Sequence, residues 1–469
     1  MKLLFVHGWS VTSKRTYGGL PAALAAQAPT HGLHLDLKEV FLGRYISFRD
    51  EVRMDDLERA FDRAVRDALG VGPAAAIPRF SCITHSTGGP LVRCWVDRYY
   101  GAGDLAKCPL EHLVMLAPPN HGSALAQLGK ATLGRVKAWA EGIEPGQQIL
   151  DWLELGSDGQ RALNLDFLHY DLSAQHAAGT RHFPIVLTGE TIDRSLFDYI
   201  NSYTAEPGSD GVVRAASANL DARWLTLVQT DTPVAALRFK GATALEMRDP
   251  TVRQPAPTVF RLIPDASHSG DKIGIIKSVK AANAAKKEVV ARTLEALKIR
   301  NGADYNAAIA AARAANATLQ PVGQRYFQIV FSVRDDEGRA VTDFDIILLG
   351  GPDYDPDALP RGFFRDRQKN RVNRNTVTYY MNHDVMMGTT DKKFGFRVIA
   401  RPDNGFARYT PAEFHSDAMT LDAVIDPNAT TYVDIVLKRR VDAESARFDP
   451  ESDGYTDFKN TRPSGNEVG

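Results

Sequence analysis

The sequence predicts an α/β protein with a mainly parallel sheet covered on both faces, followed by a smaller all-β domain of sandwich-like type. Three observations carry this reading. Through the first 300 residues, short apolar runs alternate with stretches of helical period. One run, Arg79-Phe80-Ser81-Cys82-Ile83, breaks at Thr84-His85-Ser86-Thr87-Gly88, and a helical stretch follows at once. After Gln320-Pro321 the pattern changes to alternation, with turn residues between short runs. Strand–helix alternation implies parallel strands joined by crossovers, so helices must lie on both faces of the sheet.

The elements follow in order. Lys2-Leu3-Leu4-Phe5-Val6 is apolar without alternation, as a buried strand should be. Leu35 to Phe41 is a second strand. From Met54 to Leu69, Leu57, Phe61, Val65 and Leu69 recur at helical spacing. Asp55 and Asp56 sit in the first turn of that helix, where the dipole favours negative charge. Leu113 to Leu116 is a further strand, and Thr258 to Ile263 a late one. Between them, residues 124–180 interrupt the sheet pattern. Leu125, Leu128, Thr132, Val136, Trp139 and Ile143 share one helical face there, read either as a helical cap over Ser86 or as an ordinary packed helix. The first domain spans 1–300 and closes with a helix from Ala281 to Ile299; 301–320 is an alanine-rich helical connector. The β-domain spans 321–440, with strands at 326–333, 344–349, 376–380, 394–400 and 432–437. Residues 441–469 are polar, with little to bury, and are expected to be extended or disordered.

Ser86 is the candidate nucleophile. A serine at the tip of a strand–turn–helix is lifted clear of its neighbours and can meet a base on one side and a carbonyl on the other. Small residues must flank it because the two backbones nearly touch. Gly88 and Gly89 meet that need, and Thr84 does so only partly.

With its company, this elbow resembles an α/β-hydrolase of the bacterial lipase and phospholipase (esterase) type over residues 1 to about 300. The matching pieces are His7-Gly8 after the first strand, Ser86 in its elbow, Pro119-Asn120-His121-Gly122-Ser123, Asp210-Gly211-Val212-Val213 and His268. Glu144-Pro145-Gly146-Gln147-Gln148-Ile149-Leu150-Asp151-Trp152-Leu153 is similar to a lid-side segment of lipases related to lecithin–cholesterol acyltransferase. Thr84 stands where the pattern has glycine, and Gln147 where it has serine. The resemblance implies a Ser86–His268–Asp210 triad in the chain order of that fold. It implies an oxyanion hole from the Trp9 and Thr87 N–H groups. Substrate-binding positions would be His7, Gly8, Asn120 and His121. Rivals remain open: His121 as base, and Asp193, Asp198, Asp231 or Asp265 as acid. His85, beside the nucleophile, reads as structural. No family resemblance is drawn for residues 320–469.

The 44% hydrophobic content is ample for a core, and a net charge of −1 argues against a nucleic-acid binder. Three cysteines, Cys82, Cys94 and Cys108, form neither a disulfide framework nor a metal-ligand spacing. Asp353, Asp355 and Asp357 lack the glycine and glutamate of a calcium loop. No metal or cofactor is expected. No signal peptide and no apolar run of ~18 residues is visible, so synthesis in the cytosol is expected, and any export would use a route without a cleaved N-terminal signal.

Arg361 to Arg374 is basic and holds Phe363, Phe364, Arg365, Arg367, Lys369 and Arg371. Such a loop suits peripheral membrane contact, with cations on anionic head groups and rings in the interface. The alternative, and the preferred one, is a solvated face whose rings pack inward. The functional expectation is a serine hydrolase cleaving carboxylic esters of lipids or phospholipids through an acyl-serine. Alternatives are a short-chain carboxylesterase or acyltransferase, an antibacterial phospholipase effector of a contractile secretion system, and a non-catalytic binding protein on the same fold.

Overall fold

The structure is a computed structural model that describes residues 1–7, 17–46, 50–101, 103–131, 146–193, 206–234, 241–320, 325–388 and 393–442. Strands β1 (Lys2–Val6), β2 (Asp36–Val40), β3 (Phe80–His85), β4 (Leu110–Leu116) and β5 (Phe183–Gly189) enter one sheet. Strands β6 (Arg223–Pro233) and β7 (Thr243–Met247) leave it, and β8 (Val259–Ile263) returns. The first sheet runs β2-β1-β3-β4-β5-β8 with every pair parallel.

Successive side chains on these strands point to opposite faces. Leu4, Val6, Cys82 and Met115 enter one core; Leu3, Phe5, Ile83 and Leu116 enter the other. Helices α1 (Leu20–Gln27), α2 (Met54–Leu69) and α3 (Gly88–Tyr100) cover the sheet, α1 on the second face and α2 and α3 on the first. Helix α2 has the bounds its periodicity predicts. Asp56 Oδ2 accepts from Arg53 N at 3.1 Å, which satisfies one orphan donor at its start. Gly70 closes it at φ +68°, where glycine carries no Cβ penalty. Its buried Phe61 meets Trp95 of α3 edge-on, centroids 5.4 Å apart, and burial of each such ring contributes roughly 1.5–3 kcal/mol.

The interrupting segment folds as α4 (Ala124–Ala131), α5 (Gln147–Leu153), α6 (Asp158–Leu168) and α7 (Leu172–Ala177). Residues 132–145, on which much of the proposed cap face falls, lie outside the described residues. A short α8 (Ala215–Ala218) precedes β6, and α9 (Glu288–Ala296) and α10 (Gly302–Leu319) follow β8. The expected connector is α10, and it is part of the first layer. Its Asn316 donates to Phe260 O at 2.8 Å and accepts from Leu262 N at 2.9 Å, while Tyr305 donates to Pro184 O at 2.6 Å.

The second sheet has nine strands. They are β6 and β7 with β9 (Tyr326–Asp335), β10 (Phe344–Gly350), β11 (Phe364–Lys369), β12 (Thr376–Asn382), β13 (Phe394–Ala400), β15 (Ala412–His415) and β16 (Thr430–Leu437), in the order β10-β13-β15-β7-β6-β16-β9-β12-β11. A small ribbon pairs β14 (Ala407–Tyr409) with β17 (Arg439–Val441). The sheet curls over one apolar core until its ends meet: Tyr379 of β12 donates to Ile346 O of β10 at 2.6 Å. A boundary near residue 300 does not describe this arrangement. β6 lies parallel to β16, so the first segment of chain supplies two strands to the second unit.

The two units join through a fourth apolar cluster. Trp224 of β6 stacks on Tyr432 of β16, centroids 4.0 Å apart and planes within 13°, and Leu165 and Leu168 of α6 pack on them. Arg161 of α6 pairs with Asp434 of β16 and lies 5.5 Å over the Trp224 ring. The basic segment is also drawn into this seam. Asn370 donates to Leu155 O at 2.9 Å, and Arg371 N donates to Glu154 at 2.8 Å. Phe363 packs on the core of the second sheet, as the inward-packing reading expects, but Phe364 does not. Lys369 donates to Thr342 O at 2.6 Å, while Phe364, Arg365, Arg367 and Arg371 remain exposed.

Candidate active site

Ser86 stands at φ +53° between β3 and α3. That backbone costs a non-glycine residue about 1–3 kcal/mol and persists only where its surroundings enforce it. Ser86 N donates to Leu116 O, the last carbonyl of β4, at 2.9 Å. A Cβ on residue 88 would lie 2.9 Å from His7 O and 3.0 Å from Val6 O, so only glycine lets the start of α3 approach β1 this closely. Thr84 is buried in β3, two residues before Ser86.

His268 lies in the loop after β8. Its Nε2 is 3.1 Å from Ser86 Oγ and its Nδ1 is 2.9 Å from Asp210 Oδ2. A carboxylate can only accept, so Nδ1 carries the ring proton and Nε2 is left to accept from Ser86. Asp210 is fully buried. Its Oδ1 accepts from Val212 N at 3.0 Å and Val213 N at 2.7 Å, and His268 N donates to Asp210 O at 2.9 Å. The carboxylate is thus oriented from both sides. Ser86 keeps 9% of its surface exposed, enough to meet a substrate. The group can therefore deprotonate a hydroxyl, stabilise the imidazolium and carry an acyl chain.

The other residues named from sequence are placed differently. Thr87 caps α3, so its N–H stands at the positive end of that helix. Gly8 and Trp9 lie outside the described residues. The His7 ring is buried beside Phe41 and Tyr17, and its Nε2 accepts from Leu42 N at 3.3 Å. Asn120 is buried, its Oδ1 accepting from Arg93 at 3.2 Å and its Nδ2 donating to Ala218 O at 2.7 Å. His121 Nδ1 is 2.8 Å from the Tyr432 hydroxyl of the second sheet. His7 Nε2 and the Asn120 amide are thus engaged within the protein, whereas His121 Nε2 is buried without a hydrogen-bond partner among the described residues. His85 supports the base from behind: its Nε2 donates to His268 O at 3.1 Å, with the rings 4.9 Å apart.

Sequence reasoning missed Arg93, which is buried in α3. It donates to Asn120 and, at 2.9 Å, to Asn164 of α6, and lies 5.2 Å over the Phe167 ring. Burial lowers its pKa to about 10. The signal was a single charge in the apolar run Pro90-Leu91-Val92-Arg93-Cys94-Trp95.

Three histidines tie stability to pH. Burial, with the neighbouring His268, lowers His85 from 6.5 to about 3; burial, with Arg93, does the same to His121; burial lowers His182 to about 4. Below 6.5 the unfolded chain binds protons at these rings and the folded chain does not. Stability should therefore fall as pH drops from about 6.5 towards 4, by up to about 1.4 kcal/mol per pH unit for each ring. Urea midpoints measured at about pH 7.5 and about pH 5 check this; equal midpoints would refute it.

Across its full length the chain is similar to solved structures of phospholipase PlaB from Legionella pneumophila. The first is 40% identical with a TM-score of 0.85, covering 100% of this chain and 98% of that one. The second, PlaB in complex with thio-NAD, is 39% identical with a TM-score of 0.83 and covers 100% of both chains. No family model matches the chain, and no curated protein does.

Proposed function

The chain belongs to the family of the Legionella phospholipase PlaB, and on that premise we propose that Ser86, His268 and Asp210 make it a serine phospholipase. It is a lipid ester hydrolase with the α/β-hydrolase fold. The observation that carries the serine mechanism is the continuous chain of contacts from Ser86 Oγ through His268 to Asp210, at 3.1 and 2.9 Å.

Ser86 Oγ attacks the acyl carbonyl carbon while its proton passes to His268 Nε2. The negative oxygen of the tetrahedral intermediate meets the Thr87 N–H, with Trp9 as the second donor. The ester C–O bond breaks as His268 returns the proton to the departing alcohol. Water, deprotonated by the same nitrogen, then attacks the acyl-serine and releases the fatty acid. In the same reading, exposed Phe364, Arg365, Arg367 and Arg371 face anionic head groups.

Fatty-acid release from phosphatidylcholine vesicles with and without phosphatidylglycerol, beside hydrolysis of p-nitrophenyl butyrate, tests this proposal. Release from phospholipid, blocked by a fluorophosphonate, is the expected result, with the anionic vesicles favoured at low salt. Cleavage of the short ester alone would replace the phospholipase reading with a carboxylesterase.

A further inference from the structure

The loop that carries Asp210 is held at both ends by the second sheet. At its start, Tyr380 of β12 donates to Pro207 O at 2.8 Å. Gly208 follows at φ +75°, and a Cβ there would come 2.7 Å from the Tyr380 hydroxyl. At its end stands Arg214, whose side chain is 1% exposed. Arg214 Nε and Nη2 donate to Glu206 at 2.8 and 2.7 Å, which closes the loop on itself. The same Nη2 donates at 2.5 Å to Asp366 of β11, and the guanidinium lies 4.2 Å over the Tyr380 ring.

Ser209 and Arg214 pair as an isolated bridge, and Asp210 N donates to Val213 O at 3.2 Å. Asp210 therefore sits at the tip of a tight turn whose stem is fastened to β11 and β12. Any slack in that stem moves the carboxylate against His268 Nδ1.

We infer that Asp366 and Tyr380 are positioning residues for catalysis, acting through Arg214 and Pro207 to set the reach of Asp210 to His268. This rests on the Ser86–His268–Asp210 reading. It gives the second sheet a part in the reaction that neither apolar packing nor lipid contact requires.

The test is the double variant Asp366→Asn/Tyr380→Phe beside wild type, Ser86→Ala and Asp366→Glu. Asp366→Asn leaves Arg214 paired with Glu206, and Tyr380→Phe keeps the ring under the guanidinium, so the fold should survive; a thermal melt verifies it. Misplacement on the order of 1 Å is expected to lower kcat about 10- to 100-fold, with KM nearly unchanged. Asp366→Glu, which keeps the carboxylate on Arg214, should recover part of kcat. A wild-type kcat in the double variant, with Ser86→Ala inactive, would overturn the positioning role alone. A kcat loss that tracks the melt, moves KM with it and is not recovered by Asp366→Glu would overturn it too, by making the contacts merely structural. An active Ser86→Ala would overturn the serine reading itself, and this inference with it.

Discussion

Ser86→Ala is expected to lower kcat by about 10⁴- to 10⁶-fold towards phospholipid, with the protein still folded. The substitution removes only Oγ, the atom 3.1 Å from His268 Nε2. Alanine inherits the φ of +53°, so the elbow gains no new strain. What remains is the small rate that oxyanion donors and substrate binding support without a nucleophile. Removing His268 as well should then cost almost nothing more, because the two act as one unit and their losses do not add. Single-turnover kinetics on the single and double variants decide this. A double variant much slower than Ser86→Ala would mean that His268 has a task apart from Ser86.

Asp210→Asn should lower kcat by about 10⁴-fold, and the contacts of the carboxylate say why. Oδ1 accepts from two backbone donors, Val212 N and Val213 N. An asparagine must place its carbonyl oxygen there, because its amide nitrogen cannot accept. The NH2 group is then turned towards His268 Nδ1, the position held by Oδ2 at 2.9 Å. Facing a donor, Nδ1 gives up its proton and the ring carries it on Nε2, where it can no longer accept from Ser86. The loss is thus a wrong tautomer in an intact site, and the melting curve should change little. A variant with near wild-type kcat would show that a different acid serves His268.

The structure around Ser86 was legible in the chain because its constraints are local. Gly88 and the strand–turn–helix order around Ser86 can be read over a dozen residues, as can the bounds of α2 from its period and its aspartates. The destinations of the strands were not legible. The run from Arg223 looks like any other strand, and nothing in it states that its partner is β16 and not β5. Register between segments so far apart is decided by tertiary packing, here the stacking of Trp224 on Tyr432. For the same reason Asn120 and His121 were read as substrate contacts. The protein groups they meet, Arg93 on α3 and Tyr432 on β16, are brought to them only by the completed fold. The basic segment was ambiguous because a strand at a seam and a strand facing lipid carry the same residues. In the fold Phe363 packs inward and Phe364 outward.

The exchange of β6 and β7 into the second sheet has a consequence for biogenesis. Arg223 pairs with Thr431, so β6 meets β16 only after all the strands between them have been made. The turn bearing Asp210 lies immediately upstream of that strand, and the residues that fasten it, Asp366 and Tyr380, also emerge late. Contacts so distant along the chain form slowly. On the proposed Ser86–His268–Asp210 reading, the order of translation sets the carboxylate firmly against His268 only after β11, β12 and β16 have been made.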